Sequence, residues 1–304
     1  MMISIKKYWL KFTNKKKYQE YKNSLNSKKE LQNYKKNLEE YIKKIQDKIE
    51  DKKELSFLHS GTSGDIINSL PIIKELSKTH KCNFYIQVNK PYNKDHPNHY
   101  SEVLLSEKTF NMLMPLLKSQ KYINILEKYN NQEIDINFDI FRDMPISIQF
   151  DNLRYYFHVA GIQPNILESY LDVQPHTKIL NKIVIHRTLR YRNHFINYKF
   201  LENYENLFFV GTKDEYEDLK KDVKNLKFYD CKDHLEMAMI IKASKFFIGN
   251  SSIGHGIAEG LKIPRLLEAC PYFPAALPHG KNAYDFYFQI HFEKFFKKLD
   301  QKQL

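Results

Sequence analysis

The stretch LSFLHSGTSGDIINSLPIIKEL, Leu55–Leu76, decides how the rest of the chain is read. Leu55–His59 is apolar enough for a buried strand. Ser60-Gly61-Thr62-Ser63-Gly64 then reads as a turn, and the period of Ile66, Leu70 and Ile73 predicts a helix from about Asp65 to Lys78. A strand running through a glycine-bearing turn into a helix is a unit of a parallel α/β sheet. Such a turn lets backbone approach a ligand and leaves the first N–H groups of the helix without helical partners. Asp65, in that first turn, can simply cap the helix and complement its dipole, or it can serve as a general base. Pro71 removes one helical hydrogen bond and predicts a kink.

The same alternation continues downstream. Strands are expected at Asn83–Val88 and Tyr122–Leu126, with helices over 106–119 and Asp151–Ala160, the second ended by Gly161. After a linker, Pro164–Lys182, a second series begins. It has expected strands at Ile183–His186, Leu207–Gly211, Lys227–Tyr229 and Phe246–Gly249 and helices over 213–222, Leu235–Ala243 and Ile253–Leu261, with an amphipathic helix after Tyr284. The pattern predicts an α/β protein of two Rossmann-like domains, 55–178 and 179–284, facing a cleft, followed by a terminal helix over 285–304.

Residues 1–54 contain no glycine or proline and read as a basic helical extension. Leu31, Tyr34, Leu38, Tyr41, Ile45 and Ile49 make an apolar stripe, suited either to packing on the protein's own body or to a partner. The first dozen residues mix Trp9 and Phe12 with lysines, a composition suited to an anionic membrane surface.

The formal charge of +12 is concentrated in this extension, which holds sixteen lysines and eight acids, whereas the remaining residues are nearly balanced. That distribution argues against a general nucleic-acid partner and for a local electrostatic role. Cys82, Cys231 and Cys270 are widely spaced, with no C-x-x-C, which fits a reducing, cytoplasmic setting. No segment reads as a membrane span or a secretory leader. Asp95-His96-Pro97-Asn98-His99 reads as a polar loop rather than a metal site.

Two further segments carry chemistry. In FFIGNSSIGHGIAEGLKIPRLLE, from Phe246, the turn Asn250-Ser251-Ser252 leads into a helix bearing His255 and Glu259. Hydroxyls and glycines at a helix start make a phosphate cradle, and equally an N-cap with tight packing. Glu259, one turn after His255, is placed to reach a ribose; His234 and Met237 are candidates for a base pocket, and Tyr272 and His279 for sugar contacts. In IHRTLRYRN, Arg187, Arg190 and Arg192 surround Thr188 at a strand's carboxyl end, where guanidinium forks suit phosphate oxygens.

Gly64-Asp65-Ile66-Ile67-Asn68-Ser69-Leu70-Pro71 resembles the N-terminal signature of glycosyltransferase family 9, the ADP-heptose:lipopolysaccharide heptosyltransferases. Gly249-Asn250-Ser251-Ser252-Ile253-Gly254-His255 resembles that family's phosphate-binding turn, Asp-(Ser/Thr)-Gly-x-x-His, with Asn250 in place of the Asp and Ser252 in place of the Gly. The resemblance spans roughly residues 55–290 and implies a GT-B fold, with the acceptor on the first domain and a nucleotide-sugar on the second. Residue by residue it implies Asp65 as catalytic base, beside the loop of Gly61, Ser63 and Gly64 on the acceptor side. It implies Thr188 with Arg190 or Arg192 at the diphosphate, and Asn250, Ser251, Ser252 and His255 as the phosphate turn.

The expected function is an inverting transfer from a nucleotide-sugar to a hydroxyl of a glycan or glycolipid. No D-x-D occurs in the chain, so no metal is expected, and no cofactor beyond the donor substrate. A sugar-nucleotide epimerase on the same fold, and a catalytically degenerate scaffold acting through its basic helices, are the alternatives.

Overall fold

The structure is a computed structural model that describes residues 2–33, 38–91, 102–143, 151–273 and 275–301. Tyr34 and the Asp95–His99 loop lie outside the described residues.

Two parallel sheets organise the chain. The first holds β1 (Glu54–His59), β2 (Lys81–Ile86), β3 (Ile125–Lys128) and β4 (Ile136–Asn137), in the order β3-β2-β1-β4. The second holds β5 (Ile183–His186), β6 (Leu207–Val210), β7 (Lys227–Tyr229), β8 (Phe246–Asn250), β9 (Arg265–Glu268) and β10 (Ala283–Phe286). Its order is β10-β9-β8-β5-β6-β7. Counted within its own domain, the second sheet has the doubly wound order of a dinucleotide-binding fold, and the first sheet has the first four strands of that order. In each, the winding reverses beside the first strand, between β1 and β4 and between β5 and β8. The crevice above such a reversal, outside the strands' carboxyl ends, is where open α/β sheets bind ligands.

β4, β9 and β10 are elements the sequence reading did not anticipate. The other strands and the helices of both series fall within a few residues of expectation. α4 (Ser63–Leu76) runs through Pro71 as a single helical element.

The domains meet through helices. α4 packs on α9 (Ile253–Leu261), and α5 (Glu107–Lys118) packs on α8 (His234–Lys242). Ile66, Ile67 and Leu70 of α4 share one continuous core with Met237, Ile241, Ile257 and Ala258, and with Val184 and Phe247 of the second sheet. The opposite face of that sheet is covered by α7 (Lys213–Lys220) and α10 (Gln289–Asp300). Ile185, Phe209 and Ile248 pack there with Tyr216, Phe292 and Phe296.

The basic extension is not one unit. It comprises α1 (Met2–Thr13), α2 (Lys15–Asn33) and α3 (Glu39–Asp51), and α3 belongs to the first domain. Ile45 is buried in the main core, Tyr41, Ile42 and Ile49 pack against it, and α3 lies on α6 (Arg154–Ala160). Lys48 and Lys52 both pair with the buried Asp135 just before β4. The boundary expected at residue 54 therefore moves to the N-terminal side of α3, because the C-terminal half of the stripe is part of the core. Among the described residues no helix is long and apolar enough to cross a membrane.

Candidate functional site

On the first domain, β1 delivers His59 to the sheet's carboxyl edge, and α4 begins four residues later. Thr62 caps α4 in a reciprocal box: its Oγ1 accepts the Asp65 amide at 3.4 Å, and its own amide donates to Asp65 Oδ2 at 3.0 Å. Asp65 is thus a capping residue, one of the two readings of its position. It is also more than that. Oδ2 further takes the Thr62 hydroxyl at 3.1 Å and Arg142 Nη2 at 3.3 Å, while no described residue bonds Oδ1. The carboxylate is a third exposed and lines the cleft. Gly61 makes this possible without facing the cleft itself: a Cβ there would stand 2.7 Å from Asp65 Oδ2 and 2.6 Å from the His59 ring. Ser63 and Gly64 line the cleft, and Ser63 Oγ is buried without a partner among the described residues.

Arg142 is the residue that sequence reasoning missed. It sits on a 3-10 turn, Phe138–Asp143, that follows β4 directly. Its Nη1 donates to Asp139 at 3.1 Å, and its guanidinium lies over the Phe141 ring at 4.5 Å. Burial disfavours its charge, but Asp65 and Asp139 outweigh that and raise its pKa. Asp139 in turn accepts the Ser60 amide and hydroxyl and Lys90. Burial pushes its carboxyl up, yet the adjoining His59 ring, Lys90 and Ser60 prevail and hold it well below the usual range. The Tyr156 hydroxyl closes the base of this network, donating to the Asp65 carbonyl at 3.0 Å and meeting His59 Nε2 at 3.0 Å. The signal for the strand that leads into this turn was present in Ile134–Ile140, IDINFDI, whose apolar residues alternate as a strand requires.

On the second domain the loops after β5 and β8 are stitched together by Asn250. Its Oδ1 accepts the Thr188 amide at 3.0 Å, and its Nδ2 donates to the carbonyls of Thr188 and Arg190 at 3.1 and 2.6 Å. Asn250 is fully buried and does not line the cleft, which corrects its expected role as a phosphate contact. An amide suits this place, because it must donate as well as accept.

Of the three arginines only Arg190 faces the cleft, where it makes no ion pair with any described residue. Arg192 turns away, donating to the Thr188 carbonyl at 2.8 Å and to Asp218 of α7 at 2.6 Å, so the expected diphosphate contact at Arg192 is corrected. Arg187 is buried in a two-point bond with Glu268. Thr188, Ser251, Ser252 and His255 all line the cleft.

Ser252 is the N-cap of α9, accepting the His255 amide at 3.5 Å. The Gly254 amide is taken by His186 Nδ1 at 3.1 Å, and a Cβ on Gly254 would stand 2.1 Å from that nitrogen. Gly254 is therefore required by His186, and with the His255 amide on Ser252 the amide of Ile253 is the one in this first turn without a partner among the described residues. His255 is buried with Nδ1 unpartnered among the described residues, and desolvation lowers its pKa to about 4, so it is a neutral imidazole. His234, also at the cleft, is held at about 4 mainly by the same cause.

Glu259 is corrected as a ribose contact. It is 2% exposed, and its carboxylate is taken up by Arg265, Lys262 and the amide of His279 at 3.2 Å. Met237 lines the cleft with His234, whereas Tyr272 and His279 do not.

These pieces enclose one cleft of about 1530 Å³ between the carboxyl edges of the two sheets. Asp65 and Arg142 lie on one wall, and Thr188, Arg190, Ser251, Ser252 and His255 on the other. Among the described residues no cluster of His, Cys, Asp and Glu has a metal-binding arrangement.

This architecture defines a class: two doubly wound domains facing a common cleft, the GT-B fold. A glycosyltransferase of family 9 from Veillonella parvula is similar, superposing with a TM-score of 0.53 at 11% identity over 83% of this chain and 91% of its own. The E. coli heptosyltransferase WaaC, solved with ADP-2-deoxy-2-fluoro heptose, aligns over 81% of this chain and 99% of its own at 11% identity, with a TM-score of 0.47. No protein-family model matches the chain, and no curated protein sequence does.

Proposed function

We propose that this protein is an inverting glycosyltransferase that moves a sugar from a nucleotide-sugar to a hydroxyl of a glycan or glycolipid acceptor. The observation that carries the proposal is the pairing, across one cleft, of a carboxylate at Asp65 with one oxygen unbonded among the described residues, and an arginine, Arg190, without an ion pair among them, beside the helix N-terminus at Ser252.

The chemistry follows from that geometry. Asp65 Oδ2 is fixed by Thr62 and Arg142, which leaves Oδ1 to accept the acceptor's proton. The acceptor oxygen forms its bond to the anomeric carbon while the bond from that carbon to the diphosphate oxygen breaks on the opposite face, and the electron pair leaves with the diphosphate. Arg190, the Ile253 amide and the Ser251 hydroxyl then stabilise the developing charge, while the Thr188 and Ser252 hydroxyls, donating to the carbonyls of Arg190 and Asn250, hold the loop and the helix start in place. These groups supply the counter-charge themselves, so the reaction is expected to proceed without a divalent ion.

Release of nucleoside diphosphate from a panel of nucleotide-sugars tests the proposal, with water or simple glycosides as acceptor. The expected result is slow, selective release that Asp65→Asn lowers by roughly a hundredfold or more and a chelator leaves unchanged. Conversion of the donor sugar without release would make the protein an epimerase, and strict dependence on Mn²⁺ or Mg²⁺ would remove the metal-free mechanism.

A further inference from the structure

Asn14 both ends α1 and starts α2. Its amide donates to the Leu10 carbonyl at 2.9 Å, and its side chain caps α2 by accepting the Lys17 amide at 3.0 Å. The two helices double back on each other there, since Lys6 Nζ lies 5.3 Å from the Tyr21 ring centre. In one straight helix fifteen residues would separate those positions by about 22 Å. Leu10 is buried in this hairpin, at 6% exposure. Phe12, two residues on, is rotated by about 200° on the helix and faces outward, 82% exposed beside Trp9 at 64% and Tyr8 at 59%.

Around this aromatic face the charge is of one sign. No acid occurs before Glu20, and residues 1–33 hold nine lysines against two glutamates. Lys7, Lys11, Lys15, Lys16 and Lys17 are exposed, and none of them pairs with an acid among the described residues. The lysines of α3 differ: Lys44 pairs with Glu40, and Lys48 and Lys52 pair with Asp135.

We propose that the α1–α2 hairpin docks the protein on an anionic phospholipid bilayer, with Tyr8, Trp9 and Phe12 entering the headgroup layer and the lysines meeting its negative potential. An exposed Trp–Phe–Tyr face framed by unpaired lysines has the two components that surface helices need, apolar area and positive charge. A second copy of the chain is disfavoured as the occupant, because it would bring two strongly positive hairpins together. A nucleic acid would use the lysines and leave the aromatic face unexplained. The inference stands apart from the transferase reading, although docking would bring the cleft to a lipid-borne acceptor.

Flotation of the full chain with phosphatidylcholine vesicles, with and without phosphatidylglycerol, tests it. Binding is expected to the anionic vesicles alone and to weaken as salt rises toward about 1 M, where the screening length falls to ~3 Å. Trp9→Ala with Phe12→Ala, and separately Lys15→Glu with Lys16→Glu and Lys17→Glu, should each weaken it about tenfold or more. These side chains are exposed, so the urea midpoint of the variants should match the wild type; a lowered midpoint would mean that the hairpin serves the fold and would overturn the proposal. So would equal binding to neutral vesicles, unchanged binding by both variants, or salt-sensitive nucleic-acid binding without flotation. Loss of self-association in the Trp9→Ala, Phe12→Ala variant without flotation of the wild type would identify a second copy instead. Donor binding measured on the same variants should not change, which separates failure of docking from failure of the transferase reading.

Discussion

At Asp65 the two carboxylate oxygens have different environments, one held by Thr62 and Arg142 and the other without a described partner. Asp65→Asn preserves a cap but not a base, and should lower turnover by roughly 10²–10⁴ with donor affinity unchanged. Arg142→Ala should cost about ten- to a hundredfold in kcat through misplacement of Asp65, with little change in donor KM and partial recovery in Arg142→Lys. A matching rise in KM in either variant would place these residues in donor binding instead. The buried histidines give a second test. His234 and His255 hold folded-state pKa values of about 4 against 6.5 when free. Between those values the unfolded chain binds more protons, so stability falls as the pH falls. From pH 7 to pH 5 each should cost roughly 2 kcal/mol. The urea midpoint should drop over that interval, and by less in His255→Gln. That Asp65 and His255 follow strand ends and line the cleft accords with the turns their segments predict. Arg142 was not legible in the sequence, because its partner Asp65 lies seventy-seven positions away.

At the scale of elements, each part of the cleft is a strand end held by a neighbouring loop. Gly254 is the tightest point, since its helix can start only where His186 Nδ1 receives its amide. Gly254→Ala should displace His186 and lower stability by about 1–3 kcal/mol, measured as a shift in urea midpoint; an unchanged midpoint would show that the turn has slack. β5 and β8 could be read from runs of β-branched and aromatic residues. β9 could not, because Arg265 and Glu268 look like surface charges. Both are fully buried, Arg265 against Glu259, and Glu268 against Arg187 and the Tyr198 hydroxyl. Pairing of charges distant in sequence hides such a strand from any local pattern. β4 failed to register for a different reason: at two residues it is shorter than the alternation around it suggests. The same long-range logic overturned the roles expected of Arg192 and Glu259, whose partners come from other elements.

For the molecule as a whole, the two domains share an apolar core through α4, α5, α8 and α9. Unfolding is therefore expected as one calorimetric transition rather than two. Ile257→Ala, a change in that shared core, should lower it as a unit by about 2–4 kcal/mol; two separated transitions would show that the domains fold independently. The alternation of strands and helices made the two-domain plan and its cleft readable from sequence, and the glycine-bearing turns marked where the cleft would be. Assigning α3 to the core and α1–α2 to a separate hairpin was beyond it, since one basic helical composition runs through all three. The central claim is that the cleft binds a nucleotide-sugar through Arg190 while Asp65 serves the chemistry. Calorimetry with ADP-, UDP-, GDP- and CMP-sugars on wild type, Arg190→Ala and Asp65→Asn tests it most directly. One nucleotide class should bind selectively, weaken at least about tenfold in Arg190→Ala and bind Asp65→Asn as it does wild type. A folded protein that binds none of them, or binds one indifferently to Arg190, would contradict the account.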